Sequence, residues 1–137
     1  MIGHELQALG NAKLEALVEV MLLAASADGD FSEVERTHFL KSVQSLTDGH
    51  IAPERLDALV SEFSAALETE GREARLNSVK ARLPDAGARR VALSLAIQVT
   101  LSDGIIRTSE RELILETAEA LEIDREEAAN LVSKLSR

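Results

Sequence analysis

Apolar residues recur along this chain with the period of a helix, segment after segment. Leu14, Leu17, Val18, Met21, Leu22 and Ala25 follow the i, i+3, i+4, i+7 spacing of one helix face. That spacing predicts a first helix from residue 4 or 11 to Ala27, stopped by Gly29. Ser32 with Glu35 is a capping box and opens a second helix to about Leu46. Pro53 suits a first helical position, and Leu56, Leu59, Val60, Phe63 and Leu67 supply a third face. Leu76, Val79 and Leu83 mark a shorter fourth helix ended by Pro84. Asp85 is the expected cap of a fifth, with Val91, Ala92, Leu95, Ala96 and Val99 on one side and Leu93, Ile97 and Leu101 on the other. A helix apolar on both sides belongs in the centre. Thr108 is the expected cap of a sixth helix and Asp124 of a seventh. No stretch alternates with period two for long enough to make a strand.

The pattern also repeats. A shift of 75 residues carries Asp28-Gly29 onto Asp103-Gly104, Glu35-Arg36 onto Glu110-Arg111 and Leu40 onto Leu115. After a loop three residues shorter, Ile51 meets Ile123 and Leu59-Val60 meets Leu131-Val132. The expected architecture is all-α, one domain over 1–137, with about seven helices in a compact bundle. Two pseudo-symmetric three-helix repeats, about 12–67 and 86–135, flank a linking helix over about 71–83.

Composition agrees with helices. Apolar residues make up 45% of the 137, but the only aromatics are Phe31, Phe39 and Phe63. The core must therefore be built from Leu, Ile, Val and Ala. The net charge of −9 argues against nucleic acid and anionic membrane surfaces, and it suits cations or basic protein partners. With no Cys, disulfides and thiolate chemistry are excluded. The start MIGHELQALG has neither basic flank nor apolar core, so no signal peptide is expected. The stretch Val91–Leu101 is too short to span a bilayer, so no membrane insertion is expected and the cytoplasm is the expected location.

The candidate chemistry lies in the stretch SADGDFSEVE, residues 26–35. Capping explains most of it without a ligand: Gly29 stops a helix, Glu35 completes a capping box, and Phe31 suits a hydrophobic staple. Asp28 and Asp103 resist this, because each falls near a helix C-terminus, where the dipole disfavours a carboxylate. Either each aspartate accepts hydrogen bonds from its own turn, or it helps hold a cation with the glutamate seven residues on. Asp28, Asp30, Glu33 and Glu35 bring four carboxylates within eight residues, though not with the spacing of an EF-hand. The second turn has Ile105 and Thr108 in place of Asp30 and Glu33, leaving Asp103 and Glu110.

The segments LLAASADGDFSEVERTHFL and LAIQVTLSDGIIRTSERELI resemble the two halves of a TerB-like domain, the family of the bacterial tellurite-resistance protein TerB, with a related domain in DjlA-type co-chaperones. The shared pattern is an apolar helix ending in Ala-Asp-Gly or Ser-Asp-Gly with a glutamate seven residues after the aspartate, twice per chain. Arg107 departs from it, with Thr108 offered as the cap instead. The resemblance implies a fold of about seven helices and a non-enzymatic stress-response or scaffolding role. It also implies divalent metal at Asp28, Glu35, Asp103 and Glu110, to which the carboxylates of the first turn add Asp30 as a candidate metal ligand, with calcium or magnesium expected before zinc. The alternative is a metal-independent protein-interaction module like a co-chaperone's helical domain. An unidentified protein partner is expected in both.

Weaker features complete the reading. His38 with Glu35 is a poor zinc pair, and His4 and His50 add nothing to it. Residues 71–90 are basic (Arg72, Arg75, Lys80, Arg82, Arg89, Arg90), which reads first as a solvated linker face. Glu116, Glu119, Glu122, Asp124, Glu126 and Glu127 form an acidic strip, so self-association, head to tail, is conceivable between the two. No motif of nucleophilic or phosphate chemistry is present.

Overall fold

A computed structural model describes residues 11–27, 32–49, 51–101 and 108–135. These form seven helices and no strand: α1 (Asn11–Ala25), α2 (Glu33–Leu46), α3 (Pro53–Glu70), α4 (Arg72–Arg82), α5 (Ala86–Thr100), α6 (Thr108–Ala120) and α7 (Arg125–Leu135). The all-α expectation is met.

The centre of the bundle is α1 against α5. Helix α5 is buried on both sides, as its two apolar faces require, with Ala92, Leu93, Leu95, Ala96 and Ile97 all sealed from solvent. Helix α1 departs from the one-faced reading, because every residue from Ala16 to Ala24 is buried. It touches α2, α3, α4 and α6 as well as α5. Long aliphatic side chains close the core, and Phe39 is the largest side chain fully within it.

Helix ends show where local signals governed and where they did not. The Ser32 hydroxyl accepts from the Glu35 N–H at 3.2 Å, and the Glu35 carboxylate accepts from the Ser32 N–H at 2.9 Å, which completes the capping box. Pro53 takes the first position of α3. Asp124 accepts from the Glu127 N–H at 3.4 Å and opens α7. Asp85 occupies the cap position of α5 without capping it; its carboxylate faces Lys13 at 3.9 Å. Thr108 is already helical, so α6 begins earlier than a Thr108 cap would place it. Helices α3 and α4 are joined by Gly71 alone, at φ 89° and ψ 162°, a conformation almost confined to glycine.

Helices α2 and α6 end alike. The Gly49 N–H donates to the Gln44 carbonyl at 2.9 Å, and the Ile123 N–H donates to the Ala118 carbonyl at 2.8 Å. Both are the long bond of a Schellman closure. The preceding residues, Asp48 and Glu122, take the left-handed conformation at φ 54° and 60°.

Candidate functional site

Of the five residues expected to hold metal, Asp28, Asp30 and Asp103 lie outside the described residues, together with Gly29, Phe31 and Gly104. Glu35 is exposed, and one of its oxygens is committed to the capping box. Glu110 is half-buried in the first turn of α6, the end of a helix that favours a carboxylate. Among the described residues no group of three or more His, Asp or Glu side chains is placed to hold a metal ion. His38 is exposed on α2, and His4 and His50 lie outside the described residues.

The basic segment is a solvated face only in part: Arg72 and Arg90 are exposed, but others turn inward. Glu19, 1% exposed in the middle of α1, draws two of its arginines inward. Arg75 grips it through a fork, Nε to Oε2 at 2.6 Å and Nη2 to Oε1 at 2.9 Å, and Arg82 Nη2 donates to the same Oε1. Arg75 also reaches Glu70 at 3.2 Å, and Arg82 lies over the Phe63 ring at 5.8 Å from its centre. The Arg75 guanidinium is held more firmly protonated than an ordinary arginine, chiefly by its hydrogen bond to Glu19, against the opposing cost of burial. A buried carboxylate is tolerated only when paired and hydrogen-bonded, and here two guanidinia do both. The clasp pins α4 onto the central helix.

The rest of the basic segment meets the acidic strip within one chain. Arg72 pairs with Glu116 at 2.9 Å, Lys80 with Glu122 at 3.2 Å and Arg90 with Glu127 at 2.6 Å. Arg89 donates to the Leu83 carbonyl at 2.5 Å and the Leu121 carbonyl at 3.4 Å, and it also reaches Glu122 at 3.4 Å. It thereby binds the C-terminal ends of α4 and α6, where a cation is favoured. Three carboxylates of the acidic strip, Glu116, Glu122 and Glu127, are thus paired within the chain, while Glu119, Asp124 and Glu126 form no ion pair among the described residues.

Between α4 and α6 lies an open cleft of about 780 Å³. Leu76 and Ile123 form its base, with Leu115 partly exposed beside them. Its α4 wall carries Glu73 and Lys80, and its α6 wall carries Glu112, Glu116 and Glu119. Glu116 and Glu122 have their basic partners; Glu73, Glu112 and Glu119 form no ion pair among the described residues. The Lys80 ammonium holds the Glu122 carboxyl below the usual carboxylate range, chiefly through its hydrogen bond, with Arg89 adding to the effect.

The family model for the tellurite resistance protein TerB matches residues 9–132, which takes in all seven helices up to most of α7. This chain belongs to the TerB family. No curated protein and no solved structure matches it. The TerB match spans both Asp-Gly turns and the cleft. Neither the Glu19 clasp nor the cleft was named from the sequence. A lone acid inside the apolar run LVEVMLL was the available signal for the first. Glutamates at i, i+4 and i+7 on α6 were the signal for the second.

Proposed function

We propose that this TerB-family chain is a non-enzymatic binding and scaffolding domain of the tellurite-resistance stress response, acting in the cytoplasm on a protein partner. The observation that carries the binding reading is the open cleft between α4 and α6, apolar at its base and charged along its walls. That combination suits recognition of a partner surface.

The proposal extends to the Asp-Gly turns. Asp28, Asp30 and Glu35 in the first, with Asp103 and Glu110 in the second, offer hard oxygen donors of the kind calcium and magnesium take. Pseudo-symmetry would let the two turns pool their carboxylates. Titration with calcium or magnesium, followed by NMR, tests this. Saturable shifts at the Asp28 and Asp103 amides at millimolar metal are the expected result, and flat spectra there would discard the cation.

A second reading, a metal-independent protein-interaction module, is favoured by one observation. Glu35 already serves the N-terminus of α2 through its carboxylate, so coordination would compete with its cap. The same titration separates the two readings.

A further inference from the structure

We propose that the cleft between α4 and α6 docks a basic amphipathic helix of another protein. The proposal rests on the binding-domain reading and names the chemistry of the partner.

The argument begins with α6. Glu112, Glu116 and Glu119 occupy i, i+4 and i+7, one stripe of one helix face. Like charges at that spacing repel and destabilise a helix by a few tenths of a kcal/mol per pair. Arg72 relieves only Glu116. Across the cleft, Glu73 adds a further carboxylate with no ion-pair partner among the described residues. Local conflicts left unrelieved by the fold are characteristic of binding surfaces.

The apolar base gives the second half of the match. Leu115, half-buried, and the edge of Ile123, 9% exposed, offer an apolar floor above the buried Leu76, between acidic margins. An amphipathic helix with one apolar face and basic flanks is the complement of that surface. Two helices already form the walls, and a groove between helices receives the ridge of a third. Helix α6 has 13 residues. At 1.5 Å per residue it is about 20 Å long, room for about four turns of a partner helix. Lys80 on the last turn of α4 and Arg125 at the start of α7 make one end of the cleft less acidic. The partner's basic residues therefore gather toward the Glu73 and Glu112 end.

Other occupants fit less well. A second copy could not bring its basic 71–90 segment, because Arg72, Arg75, Lys80, Arg82, Arg89 and Arg90 are all engaged within their own chain. Its basic residues without an ion pair among the described residues, Lys41, Arg111, Arg125 and Lys134, are scattered over α2, α6 and α7 rather than gathered on one apolar-faced helix. A metal ion needs three or more convergent ligands, and among the described residues no such group exists.

The test is fluorescence anisotropy with a labelled Lys/Leu amphipathic peptide of about 14 residues, in EDTA. A Glu/Leu twin and a scrambled peptide of the same Lys/Leu composition serve as comparisons. The protein is used as wild type, as Glu112→Gln/Glu119→Gln, and as Glu54→Gln/Glu68→Gln. The last pair removes the same charge from exposed α3 positions that do not line the cleft. The Lys/Leu helix should bind, with amide shifts at Leu76, Leu115 and Ile123. The cleft variant should weaken binding by roughly tenfold at low salt, and the α3 variant by less than about twofold. Equal loss in both variants, or equal binding of the scrambled peptide, would overturn the cleft. Shifts confined to another face would also overturn it while leaving the binding-domain reading intact. No binding of any peptide, together with a flat cation titration, would remove both.

Discussion

Glu19 shows how one residue can organise the docking of an entire helix. Its carboxylate is buried in α1 and satisfied only by Arg75 and Arg82 from α4. Removing the carboxylate leaves two guanidinia facing a dry pocket, which is the costly way to break such a group. Glu19→Gln should therefore lower unfolding stability by about 3 kcal/mol in urea denaturation. A loss under about 1 kcal/mol would mean that the guanidinia find water at no cost. Arg75→Lys should also destabilise, because an ammonium cannot reproduce the two-bond fork. Gly71 acts through backbone alone. Nothing lies within 4 Å of where its Cβ would be, so Gly71→Ala meets no clash. The substitution should still cost about 1–3 kcal/mol, because φ 89° with ψ 162° is strained for any L side chain. A thermal melt with an unshifted midpoint would contradict this. The sequence made Gly71 visible as the start of a linking helix, but its conformation follows from how α3 and α4 must turn.

At the scale of elements, the helices obeyed local rules wherever the partners were local. The α2 capping box joins residues three apart and was legible in Ser32 and Glu35. Ser32→Ala should cost about 1 kcal/mol in chemical denaturation, and a neutral result would show that α2 is held by its buried face alone. Asp85 followed a different rule. It occupies a cap position, but its side chain faces Lys13 on α1, so a residue far along the chain displaced the local preference. Helix α4 is the clearest departure from the sequence reading. Its basic residues suggested a solvated link, yet Arg75 and Arg82 turn inward to Glu19, Arg72 and Lys80 reach α6 and the residue that closes it, and Arg90 of the following α5 reaches α7. Periodicity places charges on a helix face; it does not say which carboxylate, dozens of residues away, that face will meet.

For the whole molecule, the net charge of −9 makes internal pairing consequential. Glu122 joins α6 to α4 and α5 through Lys80 and Arg89, and its carboxyl titrates below the ordinary value of 4.5. A lowered folded value means that its contribution is complete at neutral pH and is lost as pH falls through that lowered value. Stability should therefore decline below pH 4.5, and Glu122→Gln should show a shallower decline from pH 6 to 3 in denaturation midpoints. Parallel curves for the two proteins would assign the acid sensitivity to other carboxylates. The cleft belongs to this scale too, since its walls come from segments far apart in sequence, held together by the clasp of α4 on α1, the Arg72–Glu116 and Lys80–Glu122 pairs and the Arg89 hydrogen bonds to both helix ends.

By itself the sequence determined the all-α class, the approximate limits of the seven helices among the described residues, the burial of α5 and the capping of α2 and α7. Each depends on residues a few positions apart, whose relation is set by helical period and backbone hydrogen bonding. It also carried the doubled Asp-Gly pattern that agrees with TerB-family membership. Tertiary structure alone decided that α1 is enclosed on every side, that Glu19 is buried between two arginines, and that the basic and acidic segments meet within one chain. It alone also formed a cleft with unpaired glutamates on its walls. Coulomb attraction and burial act through space, and a one-dimensional pattern does not specify which distant groups they bring together.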